Sequence, residues 1–119
     1  MGLSKIKKGG VYLVRLDPVL GAEIGKTRPA VIVSNDINNA HADTVTVIPI
    51  TSNIDKIYPF EVVIPSGEGG LSKESKAKAN QIRTIDKKRL YKYLGSISHK
   101  KMKELEAAVL LHLEIEITD

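Results

Sequence analysis

Two polar residues at the ends of apolar runs are the ones best placed to do chemistry. Arg28 stands before Pro29 and the run Ala30-Val31-Ile32-Val33, which stops on the turn formers Ser34-Asn35-Asp36. Proline fixes its own φ and restricts the residue before it to extended backbone, so Arg28 is presented from a stiffened loop–strand junction. A permanently charged fork of donors on rigid backbone suits a phosphate. Thr51 follows a second run, Thr44-Val45-Thr46-Val47-Ile48-Pro49-Ile50. If the two runs are antiparallel neighbours, the start of one lies beside the end of the other. Guanidinium and hydroxyl would then meet on one rim, where both could stabilise charge building up on a phosphate. Position alone also fits, and favours, a plainer pair of roles: a surface ion-pair partner and a turn residue.

A second segment, Asn80-Gln81-Ile82-Arg83-Thr84-Ile85-Asp86-Lys87-Lys88-Arg89-Leu90, repeats the device of a cation at a strand end. The charge balance points the same way. All 18 Lys and Arg but only nine of the 14 acids lie in residues 1–103, leaving +9 there, while residues 104–119 carry −5. A basic body with an acidic end favours an anionic ligand such as nucleic acid, although a solvated surface of mixed charge fits as well.

Other chemistries find little support. With no Cys there is neither a disulfide framework nor a thiolate metal site. His41, His99 and His112 are scattered, and no two share the i, i+4 ligand spacing. His41-Ala42-Asp43 reads as a turn. No Ser stands in a nucleophile-elbow context, and Gly67-Glu68-Gly69-Gly70 lacks the Lys-Ser/Thr of a phosphate loop. No metal or cofactor is expected. The apolar runs fall short of the ~18 residues a membrane span needs. Residues 1–8 lack the apolar core of a signal peptide, so the cytoplasm is the default location.

The elements that must position Arg28 and Thr51 read as β first and helix last. A length of 119 residues suits one domain over residues 1–119. Strands are predicted at 11–16, 29–34, 44–50, 60–65, 78–85 and 91–97, separated by Gly, Pro, Asn and Asp clusters. The unbroken apolar run at 29–34 suggests burial on both faces. Residues 67–76 read as a flexible, polar connection. Ser98 can cap a helix whose apolar residues Met102, Leu105, Val109 and Leu113 recur at three- and four-residue steps. That face is expected to be buried within the subunit. Ile115 and Ile117 alternate with acids, the pattern of a short closing strand. The expected class is mainly β with a C-terminal helix, arranged as a small barrel or sandwich.

From about Ile6 to Leu113 the chain resembles the MazF/PemK family of toxin endoribonucleases. The resemblance is carried by Gly9-Gly10-Val11-Tyr12, Leu16-Asp17-Pro18-Val19-Leu20-Gly21-Ala22-Glu23, Thr27-Arg28-Pro29 with Asn35-Asp36, Pro49-Ile50-Thr51, Gln81 to Leu90, Leu94-Gly95-Ser96-Ile97 and the helix from Met102. It is their order and spacing that make the match specific. The resemblance implies an SH3-like barrel of the MazF/PemK/CcdB type and a homodimer with single-stranded RNA along its interface. It implies a cognate, MazE-like antitoxin partner and no metal. Arg28 and Thr51 fall on the family's catalytic pair. The implied reaction is sequence-specific cleavage of mRNA by its own 2′-hydroxyl, leaving a cyclic phosphate and a free 5′-hydroxyl. One departure is Gly10, where the family usually has Asp or Glu, which bears on local packing.

Residues expected to touch RNA are Glu23, Lys26 and Thr27 in the loop before Arg28. Ser52 and Asn53 continue the rim at Thr51, and Gln81 and Arg83 come from the late strand. The Lys87-Lys88-Arg89 run fits either RNA contact or a solvated helical turn. Two rival functions share the architecture: a non-catalytic CcdB-like toxin acting on DNA gyrase, and a plain RNA-binding barrel.

Overall fold

Seven strands and two α-helices follow one another through residues 5–118, the part of the chain that the computed structural model describes. The strands are β1 (Gly10–Arg15), β2 (Thr27–Ile32), β3 (Thr44–Thr51), β4 (Glu61–Ile64), β5 (Ser75–Lys78), β6 (Arg83–Asp86) and β7 (Leu90–Ser96). They form an antiparallel sheet in the order β4-β5-β3-β2-β1-β7, with β6 also paired to β3. Helix α1 (Asp36–His41) joins β2 to β3, and α2 (His99–Leu113) follows β7.

Strand β3 is the hub. One edge pairs with β2 through Ala30–Pro49, Val31–Ile48 and Ile32–Val47. The other edge is shared, β6 taking Thr44 to Val47 and β5 taking Ile50 and Thr51. Pro49 explains the division. Val33 N–H donates to the Thr46 carbonyl at 2.9 Å, which marks a hydrogen-bonded pair. Alternation then makes Ala30–Pro49 a non-hydrogen-bonded pair that needs no donor from Pro49. On its far edge Pro49 stands where the partner changes from β6 to β5, so the missing N–H wastes no ladder bond there either. The same residue corrects the strand predicted at 78–85. It is two strands, β5 and β6, broken by a 3₁₀ turn at Ala79–Gln81 opposite the proline.

The sheet is buried on both faces, as the apolar run in β2 suggested. Val31, with Val11, Ile48 and Ile50, packs under α2 through Met102, Leu105 and Ala108. Ala30 and Ile32, one residue out of phase, join Tyr12, Val14, Leu16, Val45 and Val47 in a second cluster. Ser98 caps α2 by accepting from Lys101 N–H at 3.1 Å. At the other end Glu114 adopts φ +56°, and its N–H bonds back to the Leu111 carbonyl. That left-handed cap turns the chain away, and residues 115–118 form no strand, contrary to expectation. Leu113 is also half exposed rather than buried.

Two further expectations fail for identifiable reasons. Helix α1 falls where only a turn was read, because Asn35 is both a turn former and a helix cap; its side chain accepts from Asn38 N–H at 2.8 Å. The segment at 67–76 is not a loose connection. The hydrogen-bonded sheet stops at β4 and β7, leaving the barrel unclosed, and a 3₁₀ turn at Glu68–Gly70 fills that gap against β7. Leu71 is buried behind it, and Glu68 Oε2 accepts from Ser98 N–H at 2.9 Å. Gly70 has φ +73° and lies so close to the Leu94 carbonyl that a Cβ would overlap it. Gly70→Ala should therefore destabilise the fold by about 2–5 kcal/mol, the sum of left-handed strain and overpacking. Urea denaturation measures this; an unchanged midpoint would show that the turn does not hold the seam.

Candidate active site

The β2–β3 register decides where Arg28 and Thr51 lie. Carried two residues beyond the Ala30–Pro49 pair, it sets Arg28 directly across from Thr51. By the alternation above this is a non-hydrogen-bonded position, the kind in which opposed side chains come closest. Both share the parity of Ala30 and Val47, so they leave the sheet on one face. Pro29 has no N–H for the intervening hydrogen-bonded position, so the ladder stops just before the pair.

Each side chain is braced and keeps spare donors. Arg28 is half buried and gives its Nε–H to the Gly25 carbonyl at 2.9 Å, leaving both Nη groups uncommitted. No carboxylate lies within ion-pair distance of it among the described residues. Gly25 is held by a crowded turn, since a Cβ there would overlap the Asp17 carboxylate. Thr51 Oγ1 accepts from Asn53 N–H at 3.2 Å, and Asn53 Oδ1 accepts from Asp55 N–H at 3.2 Å. A hydroxyl that accepts still has its proton to donate.

A hollow of about 370 Å³ is walled by Arg28 with Thr27, Pro29, Ile50 and Ser52, the last four on the opposite alternation, and Thr51 does not line it. Ser72, Lys73 and Ser75 line its other side. Lys73 escaped sequence reasoning because it lies in the stretch read as a flexible, polar connection. Glu23, Gln81 and Arg83 are not in this hollow. With Asn80 and Ile82 they line a separate one of about 350 Å³. The loop at 17–26 connects the two. Its Leu20 N–H bonds Glu23 Oε1 at 2.8 Å, and its Ile24 N–H bonds Gln81 Oε1 at 3.2 Å. Arg83 Nη1 donates to the Leu16 carbonyl at 3.2 Å, and Lys26 sits exposed at φ +67° as the loop enters β2. Lys87–Arg89 is a 3₁₀ turn. The departure at Gly10 has a local basis: a Cβ there would come to 3.1 Å from both the Lys7 carbonyl and the Tyr12 ring. A larger hollow, about 680 Å³, lies elsewhere, against α2. Its charges, Lys8 and Glu106, neutralise each other at 2.6 Å and offer a phosphate no unpaired cation.

Beyond Thr51 the loop at 52–60 is anchored by a residue the sequence did not single out. The Glu61 side chain is fully buried and accepts from Lys76 Nζ at 3.0 Å, Lys78 Nζ at 2.9 Å and Tyr58 N–H at 2.9 Å. Lys76 also donates to the Lys56 carbonyl, and Lys76 is the β5 partner of Thr51. Burial pushes the Glu61 carboxyl up, but the Tyr58 N–H and the two ammonium groups outweigh it and hold it below the ordinary glutamate range. One carboxylate thus ties the loop to the strand that carries Thr51.

A small bent antiparallel sheet with a terminal helix, bearing an unpaired guanidinium and a hydroxyl on one rim, defines a protein built to meet an anion. Residues 7–113 match the family described as PemK-like, MazF-like toxin of type II toxin–antitoxin systems, and the chain belongs to that family. It is 42% identical over 115 residues to Endoribonuclease MazF9 of Mycobacterium tuberculosis, covering 92% of this chain and 98% of that one. It is 43% identical over 109 residues to Endoribonuclease MazF of Staphylococcus saprophyticus, covering 91% of each. Among solved structures, a MazE–MazF crystal structure from Deinococcus radiodurans superposes with a TM-score of 0.75 at 25% identity, over 92% of this chain and 96% of that one.

Replacing Glu61 by Gln would strand a buried ammonium, and breaking such a pair costs about 3–5 kcal/mol. Because the folded carboxyl titrates below its unfolded value, its contribution is present above the unfolded glutamate range and is lost as pH falls through the folded value. Urea midpoints of wild type and Glu61→Gln should differ widely at pH 7 and draw together progressively as pH falls below the unfolded glutamate value of about 4.3. A gap that persists undiminished in acid would refute the role of ionised Glu61.

Proposed function

We propose that this chain, as a single domain over residues 1–119, is a sequence-specific endoribonuclease toxin that cleaves single-stranded mRNA without a metal. Arg28 and Thr51 are its catalytic pair. The observation that carries this assignment is the register that sets Arg28 across from Thr51 with unused donors on both. The named endoribonuclease relatives, 42% and 43% identical over nearly the whole chain, support the reaction class.

The nucleophile is already on the substrate. The 2′-oxygen attacks the adjacent phosphorus and loses its proton, and the bond from phosphorus to the 5′-oxygen breaks. That oxygen leaves with a proton, giving a 2′,3′-cyclic phosphate and a 5′-hydroxyl. The protein's task is to hold the phosphate and oppose the charge that builds on its non-bridging oxygens. The two Nη groups of Arg28 neutralise that charge while Thr51 donates to one oxygen. Guanidinium groups keep their proton in proteins, so Arg28 acts through its field and its donors rather than as a base.

Thr27, Ser52 and Asn53, with Lys26, surround the reacting phosphate. Glu23, Gln81 and Arg83 meet bases farther along the strand, in the second hollow. A cognate MazE-like antitoxin is the partner, as the family description implies, and its acidic tail would compete with RNA for this basic face. A homodimer is the working assembly; Leu111 and Leu113, each more than half exposed on α2, leave apolar surface for a second copy. The cytoplasm, where mRNA is found, is the site of action.

Purified protein incubated with single-stranded RNA and EDTA should give fragments ending in cyclic phosphate. Arg28→Ala and Thr51→Ala should each lower the rate by about 10²–10³ or more without changing the melting temperature. Wild-type cleavage by Arg28→Ala would refute the assignment, and products with 5′-phosphate ends would refute the mechanism.

A further inference from the structure

We propose that Lys73 and Arg28 together hold a second backbone phosphate of single-stranded RNA, next along the strand to the one that is cleaved. This rests on the nuclease reading for the identity of the strand. Arg28 links the two positions. The β2–β3 register sets it across from Thr51, yet it also lines the hollow of about 370 Å³ on the other alternation, which Thr51 does not reach. Its Nε–H is spent on the Gly25 carbonyl, and its two Nη groups carry protons enough to serve acceptors on both sides of the rim.

Three observations suit the hollow to a phosphate. The first is charge. Lys73 lines it with Arg28, and among the described residues neither has a carboxylate within ion-pair distance. No Asp or Glu belongs to the lining, although Glu74 follows Lys73 in the chain. Two cations in one hollow repel each other, and an oxyanion between them turns that repulsion into attraction. The second is the supply of neutral donors, since Thr27, Ser52 and Ser72 bring hydroxyls to the same walls. The third is the bracing of the segment that carries Lys73. Three successive carbonyls are held: Leu71 by Gly67 N–H at 2.7 Å, Ser72 by Ser66 Oγ at 3.1 Å and Lys73 by Ser75 Oγ at 2.9 Å. An exposed ammonium on fixed backbone has less freedom to lose when it binds.

Chain connectivity selects the occupant. RNA carries a charge at every nucleotide, so a strand whose reacting phosphate sits at Arg28 brings the next phosphate close to the same guanidinium. Ser52 directly follows Thr51 and lines the hollow, so a strand crossing this rim passes from the reacting pair into the hollow.

The test measures anisotropy of a labelled oligonucleotide, 2′-O-methylated throughout so that it cannot supply the attacking hydroxyl. Lys73→Ala and Lys73→Gln should each weaken binding about 5- to 10-fold, while Lys73→Arg stays within about twofold. Both losses should make the dependence of log affinity on log salt shallower by about 0.7, the contribution of one phosphate contact. Melting temperatures should not change, because Lys73 is exposed. In an Arg28→Ala background the further loss from Lys73→Ala should shrink below about twofold, since two holders of one phosphate are coupled and two unrelated surface charges are not. Wild-type affinity in Lys73→Ala, an equal loss in Lys73→Arg, or an undiminished loss in the Arg28→Ala background would each overturn the subsite. So would no binding by wild type, or a polyglutamate probe that binds with this dependence when the oligonucleotide does not. A parallel digest of unmodified RNA keeps the two readings apart. Binding that depends on Lys73 and Arg28 without any cleavage by wild type sinks the nuclease and leaves the subsite, whereas cleavage with unaffected binding in the Lys73 variants sinks the subsite alone.

Discussion

The pairing of β2 with β3 is the constraint on which the rest depends. A strand register that slips by one residue turns every side chain to the opposite face. Here both faces are buried, so a slip would exchange Val31 with Ala30 and Ile32 between two filled clusters. The same alternation that fills the core therefore sets Arg28 across from Thr51. Packing energy is spent once and fixes both the fold and the rim.

Around that rim the charges are sorted. Glu61 is the one acid whose side chain is wholly buried among the ion pairs of the described residues, and it takes two lysines out of play while tying down the loop after Thr51. Arg28, Arg15 and Lys73 have no such partner. A paired cation has its field cancelled and mainly holds structure. An unpaired one, fixed by a backbone carbonyl or an aromatic ring, keeps its field for a ligand. Arg28 and Arg15 are both of this second kind, one held by the Gly25 carbonyl and the other by the Tyr91 ring.

The seam between β4 and β7 shows how an open sheet can behave like a barrel. No hydrogen bonds join those edges, yet the 3₁₀ turn at Glu68–Gly70 fills the gap with glycine backbone pressed on Leu94 and Gly95. Covering an edge in this way also protects it from pairing with other chains. The turn then leads through Lys73 to β5, so closing the seam and furnishing the far wall of the hollow are one structural act.

Much of this could be read along the chain. Period-2 alternation, the proline positions and the helical spacing after Ser98 located six strand regions and α2, because each is a local property of backbone and neighbouring side chains. Arg28 and Thr51 stood out for the same reason: each interrupts an apolar run at its end. What the chain could not declare was which distant residues would meet. Glu61 looked like an ordinary strand acid until β5 brought Lys76 and Lys78 over it. Lys73 looked like part of a flexible connection until Gly70 found its place on β7, and Tyr91 looked like any strand tyrosine until a bulge set it under Arg15. Gln81 and Arg83 were expected from the late strand, and the fold sets them in a hollow of their own, with Arg83 paired to Val47. Local sequence determined the elements and the residues able to do chemistry. Only the tertiary pairing, which depends on contacts across tens of residues, decided which of them share a site.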